Sequence, residues 1–155
     1  MAALPLPLHC YDDAGIIKPP RWLYWLLLIN SVDWTFFIFS VASRQHTSQL
    51  LGLFFPDRSL LWYKLAVTLP FIITALLLGN RQRLWKKSLI NWYRLIPWLT
   101  VGGVAGSLTV VLLQLAGTHW YFQPVMAGQI CALFTLATLM FKSKHVALML
   151  QDWKK

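Results

Sequence analysis

Four long and nearly unbroken apolar runs constrain this chain most: Trp22 to Ala42, Leu60 to Gly79, Leu95 to Ala116 and Phe122 to Phe141. Each holds about 20 residues, or about 30 Å of helix, which matches the hydrocarbon core of a bilayer. Backbone in lipid has no water to bond, so it must satisfy its own N–H and C=O groups. A helix does this within one segment, whereas a barrel strand is about ten residues of alternating polarity. The runs therefore predict an all-α, polytopic membrane protein. Its expected form is a four transmembrane helix bundle, with residues 1–155 forming one membrane domain.

Composition and charge placement support this. Charged residues make up 12% of the chain, against about 25% in a soluble domain. The net charge of +9 would suit nucleic acid, but the basic residues flank the apolar runs, as membrane-flanking residues do. No nucleic-acid partner is expected; a bilayer with anionic headgroups is. Lys18 and Arg21, then Arg81, Arg83, Lys86, Lys87 and Arg94, then Lys142, Lys144, Lys154 and Lys155 fall on one side of a four-span topology. Only Arg44, Arg58 and Lys64 fall on the other. The positive-inside bias places both termini in the cytoplasm. The opening MAALPLPLHC lacks a basic n-region and contains two prolines, so no cleavable signal peptide is expected. Cys10 and Cys131 lie in unlike settings, which predicts no disulfide, with Cys131 a small packing residue.

The segment before the first run reads YDDAGIIKPPRW. Asp12, Asp13 and Gly15 favour a turn. Pro19 and Pro20 hold φ and disfavour helix in the residue before each. The expectation is an extended approach to the membrane, with Lys18 and Arg21 on the cytoplasmic side and Trp22 at the headgroup level. It serves as a topology clamp or, alternatively, as a docking strand for a partner. Tyr11-Asp12, Gly15 and Lys18-Pro19-Pro20, followed by four short-looped spans, resemble the YfeZ-like family of uncharacterised small bacterial inner-membrane proteins. The resemblance covers nearly the whole chain and implies a bacterial inner-membrane location. It brings no assigned activity and no functional residues.

Small residues punctuate the last two runs. Gly102 and Gly106 are four apart, as are Gly128 and Ala132. Such pairs let helix backbones approach closely, and the short Gly117–Tyr121 loop makes the two runs an antiparallel hairpin. Close packing of that hairpin is expected through these residues, with a homodimer face as the alternative. Pro70 predicts a kink in the second run. Residues 81–94 alternate so that Leu84, Trp85, Leu89 and Trp92 share one helical face, and Arg83, Lys86, Lys87 and Arg94 the other. This predicts an amphipathic interfacial helix whose basic residues, Arg81 included, contact lipid headgroups.

Asp33 is the candidate functional residue. It lies about 16 Å along the first run, where an acid costs roughly 2.5–3.5 kcal/mol on insertion scales. It should face the bundle interior, with Asn30 one turn before it. Lys64 can reach toward it from the second run, and Gln114 and Gln129 add polar groups. Such an acid serves as a transport site, a structural hydrogen-bond centre or a handle for a partner. Four spans with an acid in the first invite comparison with small multidrug transporters. The Asp in place of Glu, the longer chain and the strong charge bias count against it.

Catalytic chemistry finds little support. The four histidines are scattered, and His9-Cys10 with Asp12 and Asp13 matches no metal-site spacing. Glu, the commonest general base beside His, is absent. The expectation is a non-enzymatic accessory or interaction subunit without a cofactor, with a membrane-protein partner or a second copy. The alternative is a proton- or ion-coupled small-molecule transporter using Asp33.

Overall fold

A computed structural model describes residues 6–55, 57–86, 91–121 and 124–154, leaving out the side chain of Phe54. Among these residues the fold is all helical. After a short 3-10 turn at Leu8–Cys10 come α1 (Arg21–Asn30), α2 (Val32–Ala42), α3 (Thr47–Phe54) and α4 (Arg58–Gly79). Then follow α5 (Arg81–Lys86), α6 (Trp92–Gly117), α7 (Pro124–Lys142) and α8 (Lys144–Asp152). Helices α4, α6 and α7 are each long and apolar enough to cross a membrane. The start of the fourth apolar run, Phe122, lies outside the described residues.

The first run differs from the expected continuous helix. It breaks at Ser31 into α1 and α2, which meet at 55°. The cause is local polarity. Asn30 Nδ2 donates to the Leu26 carbonyl at 2.8 Å, and Ser31 Oγ donates to the Leu28 carbonyl at 3.2 Å. Side chains that bond the preceding turn compete with the helical ladder and bend it. The pair still carries the chain across the bundle. α1 begins beside the terminal segments, while Phe37 of α2 meets Trp62 in the first turns of α4, ring centroids 6.0 Å apart. α4 then returns to the terminal end, where Arg81 follows it and pairs with Asp12.

Helices α4 and α6 form the centre. The Phe71 ring is fully buried against Gly103, where an added Cβ would lie 2.9 Å from Phe71 Cε1. Gly106 lies against Val67 in the same way, at 3.0 Å from its Cγ1. So the small residues of α6 admit α4 rather than α7. Gly102 and Gly128, expected in the α6–α7 hairpin, meet open space, and Ala132 is half-buried. The reason is rotational: Gly102 is one residue, or about 100°, from Gly103 and so leaves the contact face. Pro70 sits within a single helix, α4, whose Thr74 Oγ1 donates to the Pro70 carbonyl at 2.8 Å. Leu28, Ile38, Phe39, Leu113, Phe134 and Phe141 point outward, as a lipid-facing surface requires. Cys10 is buried and Cys131 exposed, both as free thiols; Cys131 therefore faces outward and does not pack the interior.

The 81–94 connection is not one helix. α5 ends at Lys86, Lys87 lies outside the described residues, and Asn91 takes a left-handed φ of 85° just before α6. Asn tolerates that backbone better than most residues. Trp92, Tyr93 and Arg94 consequently belong to the first turn of α6.

Both termini meet at one end of the bundle. The turn expected at Asp12, Asp13 and Gly15 forms, with Gly15 at φ 75° and Pro20 extended before α1, but the segment as a whole folds back, with Tyr11 and Ile17 bridged. The Ile17 N–H donates to Asp152 Oδ2 at 3.1 Å, and its carbonyl accepts from Trp153 Nε1 at 3.1 Å. His145 Nε2 lies 2.8 Å from the Lys18 carbonyl; a carbonyl only accepts, so Nε2 carries the proton. Trp153 also joins Trp85 and Trp92 in a cluster with ring centroids 5.3 to 6.0 Å apart.

Candidate intramembrane polar site

The break in the first run creates the site. Asp33 falls in the first turn of α2, where unpaired N–H groups and the helix dipole favour an anion. Its side chain is 8% exposed. Lys64 of α4 places Nζ 3.2 Å from Asp33 Oδ1, and Gln129 of α7 donates from Nε2 to Oδ2 at 3.5 Å. One carboxylate thus bridges three helices. Lys64 also lies 6.0 Å from the Phe55 ring centroid, within cation–π range. Trp34, next to Asp33, donates its indole N–H to the Leu65 carbonyl at 3.1 Å. That carbonyl immediately follows Lys64, so the α2–α4 contact is tied at two successive residues.

Asn30 is also buried, but the break separates it from the helix that carries Asp33, so the i, i+3 relation does not apply. Its Oδ1 and the Ser107 Oγ of α6 are buried with no hydrogen-bond partner among the described residues. Thr68, Thr74 and Thr100 return their hydroxyls to carbonyls of their own helices and make no site.

A cavity of about 140 Å³ opens near the α3–α4 and α6–α7 connections. Phe55, Asp57, Gln114 and Thr118 line it, together with Lys64 and Gln129. It therefore touches both residues that hold Asp33. Gln114 shares the cavity but, among the described residues, makes no hydrogen bond to the acid. Phe55 enters the site as the residue that caps α3, a helix that sequence reasoning missed. Its Leu50-Leu51-Gly52-Leu53-Phe54-Phe55 pattern was the available signal.

The basic residues divide by role. Arg81 Nη2 bonds Asp12 Oδ2 at 2.7 Å and has an 11% exposed side chain. It is an internal tie rather than a headgroup contact, because the folded opening segment brings a carboxylate to it. The backbone N–H of Asp13 and the Arg81 guanidinium hold the Asp12 carboxyl below its usual range. Arg83, Lys86 and Arg94 are exposed.

The site holds an acid, a lysine and an amide at a bent membrane helix, with no assembled nucleophile. Comparison with known proteins gives it a family. The family described as protein of unknown function (DUF2919) matches residues 6–152. The chain belongs to that family. It is also 30% identical to the inner membrane protein YfeZ of Escherichia coli strain K12, over 74% of this chain and 85% of that protein. The YfeZ-like resemblance of the opening segment thus extends across the DUF2919 chain, and the membrane character agrees with its helices. No solved structure matches the chain.

Proposed function

We propose that this DUF2919 protein is a non-enzymatic inner-membrane subunit that acts by binding a membrane-protein partner, with both termini in the cytoplasm. One observation carries the reading. The Asp33 charge is held by Lys64 at 3.2 Å across α2 and α4, which is a scaffold's use of a buried acid. Removing one partner of such a pair leaves a buried charge and is strongly destabilising, whereas replacing both by apolar residues is tolerated. The eleven basic residues on the terminal side support a cytoplasmic location for that side, and the exposed Arg83, Lys86 and Arg94 support contact with anionic headgroups. Native mass spectrometry of the full chain, released gently from its own membrane, tests the reading. A stoichiometric second membrane protein is expected. A monomer or homodimer free of other proteins counts against it.

A proton- or ion-coupled transporter is the second reading. The cavity that reaches Lys64 and Gln129, both bonded to Asp33, favours it. Its test is proton uptake into proteoliposomes under an imposed pH gradient. Uptake that Asp33→Asn abolishes in a folded protein supports transport. Uptake unchanged by that variant removes Asp33 as the coupling acid.

A further inference from the structure

The terminal end of the bundle carries a second feature, away from Asp33. Helices α6 and α7 leave a groove that α8 closes from the end, about 450 Å³ in volume. Val101, Ala105, Ala137, Met140, Val146 and Leu150 line it. Its size falls within the roughly 300–1,000 Å³ of ordinary ligand pockets, but its chemistry is almost purely apolar. Thr100 is the one hydroxyl in the lining, and it is committed to the Ile96 carbonyl. A polar solute would lose its water there with no hydrogen bond in return. A hydrocarbon chain would not.

The groove does not end in apolar surface. Pro97 and Leu150 also line a second hollow, together with Tyr93, Arg94, Trp98, Gln151 and Lys154. Two cations, a phenol and an amide thus surround the mouth of the groove, and among the described residues no carboxylate side chain lines either part. Trp98 is 77% exposed, at the headgroup level that such rings favour. The continuous shape is an apolar slot with a cationic, hydrogen-bonding mouth.

We propose that this slot binds a membrane phospholipid with an anionic headgroup. One acyl chain lies between α6 and α7 under α8, and the phosphate sits at Arg94 and Lys154. The charge of the mouth selects the headgroup. The groove opens between two membrane helices, so its occupant arrives from the bilayer. This contact differs from general attraction to the membrane surface, since the exposed Arg83 and Lys86 of α5 line neither the slot nor its mouth.

The test is native mass spectrometry of the full chain titrated with phosphatidylglycerol, phosphatidylcholine or glycerol phosphate. Phosphatidylglycerol is expected to remain bound, and the other two to be lost. Arg94→Ala with Lys154→Ala should weaken retention roughly thirtyfold, at about 1 kcal/mol for each basic residue. Ala105→Phe with Ala137→Phe, which fills the slot, should abolish it. Arg83→Ala with Lys86→Ala should leave it unchanged. Thermal unfolding of each variant separates lost binding from lost fold. Equal retention of both lipids would overturn the proposal. So would retention unaffected by the mouth or slot variants, binding of glycerol phosphate alone, or a homodimer that excludes lipid.

Discussion

Asp33 and Lys64 differ from the other ion pairs among the described residues, because both side chains are largely buried and each is tolerable only while the other is present. Lys64→Met leaves a buried carboxylate held by Gln129 alone, and a loss of about 3–5 kcal/mol is expected. Asp33→Leu with Lys64→Met should recover most of it, read as the unfolding temperature in detergent. A double variant as unstable as the single ones would mean that the pair contributes more than mutual neutralisation. Gly103 and Gly102 form a second contrast. A Cβ at Gly103 meets the fully buried Phe71 ring at 2.9 Å, while one at Gly102 meets nothing within 4 Å. Gly103→Ala should therefore cost about 1–3 kcal/mol through overpacking. Gly102→Ala should be neutral or slightly stabilising, since Ala is the better helix former by about 1 kcal/mol. Unfolding of the two variants under one condition decides this.

The opening segment behaves as an element of tertiary structure although it contains no long helix. Its hold on the bundle depends on Asp12 with Arg81, on Ile17 with Asp152 and Trp153, and on Lys18 with His145. The Asp12 carboxyl is held below its ordinary value of 3.8, first by the Asp13 N–H and then by Arg81. A carboxyl shifted downward in the folded state stabilises that state fully above its ordinary value, and the contribution disappears as pH falls through the lower folded value. Amide exchange in residues 8–18 is therefore expected to be slow at pH 6 and faster below pH 3.8, relative to α4. Arg81→Ala should bring faster exchange at pH 6 as well. Exchange indifferent to both changes would show that the tryptophan cluster alone holds the segment.

At the scale of the whole molecule, the bent pair α1–α2 decides parity. Three long helices alone would leave the termini on opposite sides of a membrane, yet Ile17 and Trp153 touch. The bent pair is the element placed to supply a fourth crossing. Reporter fusions at the N- and C-termini are expected to give the same result, both cytoplasmic, and a reporter at Gln45 the opposite one. Termini reporting opposite sides would mean that α1 and α2 form a re-entrant loop.

The helical, membrane-spanning character of the chain was legible in its sequence because lipid imposes a uniform requirement. About 20 apolar residues in a row leave the backbone one way to bond itself. Asp33 and the long reach of Lys64 were legible for the same reason, since charges within apolar runs are costly and therefore conspicuous. The partnership among α2, α4 and α7 was decided only in three dimensions. Helix rotation chose Gln129 over Gln114 as the bond to Asp33, and turned Gly103 rather than Gly102 toward Phe71. The 55° break at Ser31 traces to Asn30 and Ser31, whose side chains bond the preceding turn, and the unbroken apolar run concealed it. The turn at Asp12, Asp13 and Gly15 was legible from its residue types, but the docking of the opening segment was not. Ile17 finds Trp153 across 136 positions of chain, and no local propensity encodes a contact so remote. Composition set the solvent for this protein, and side-chain packing set what meets within it.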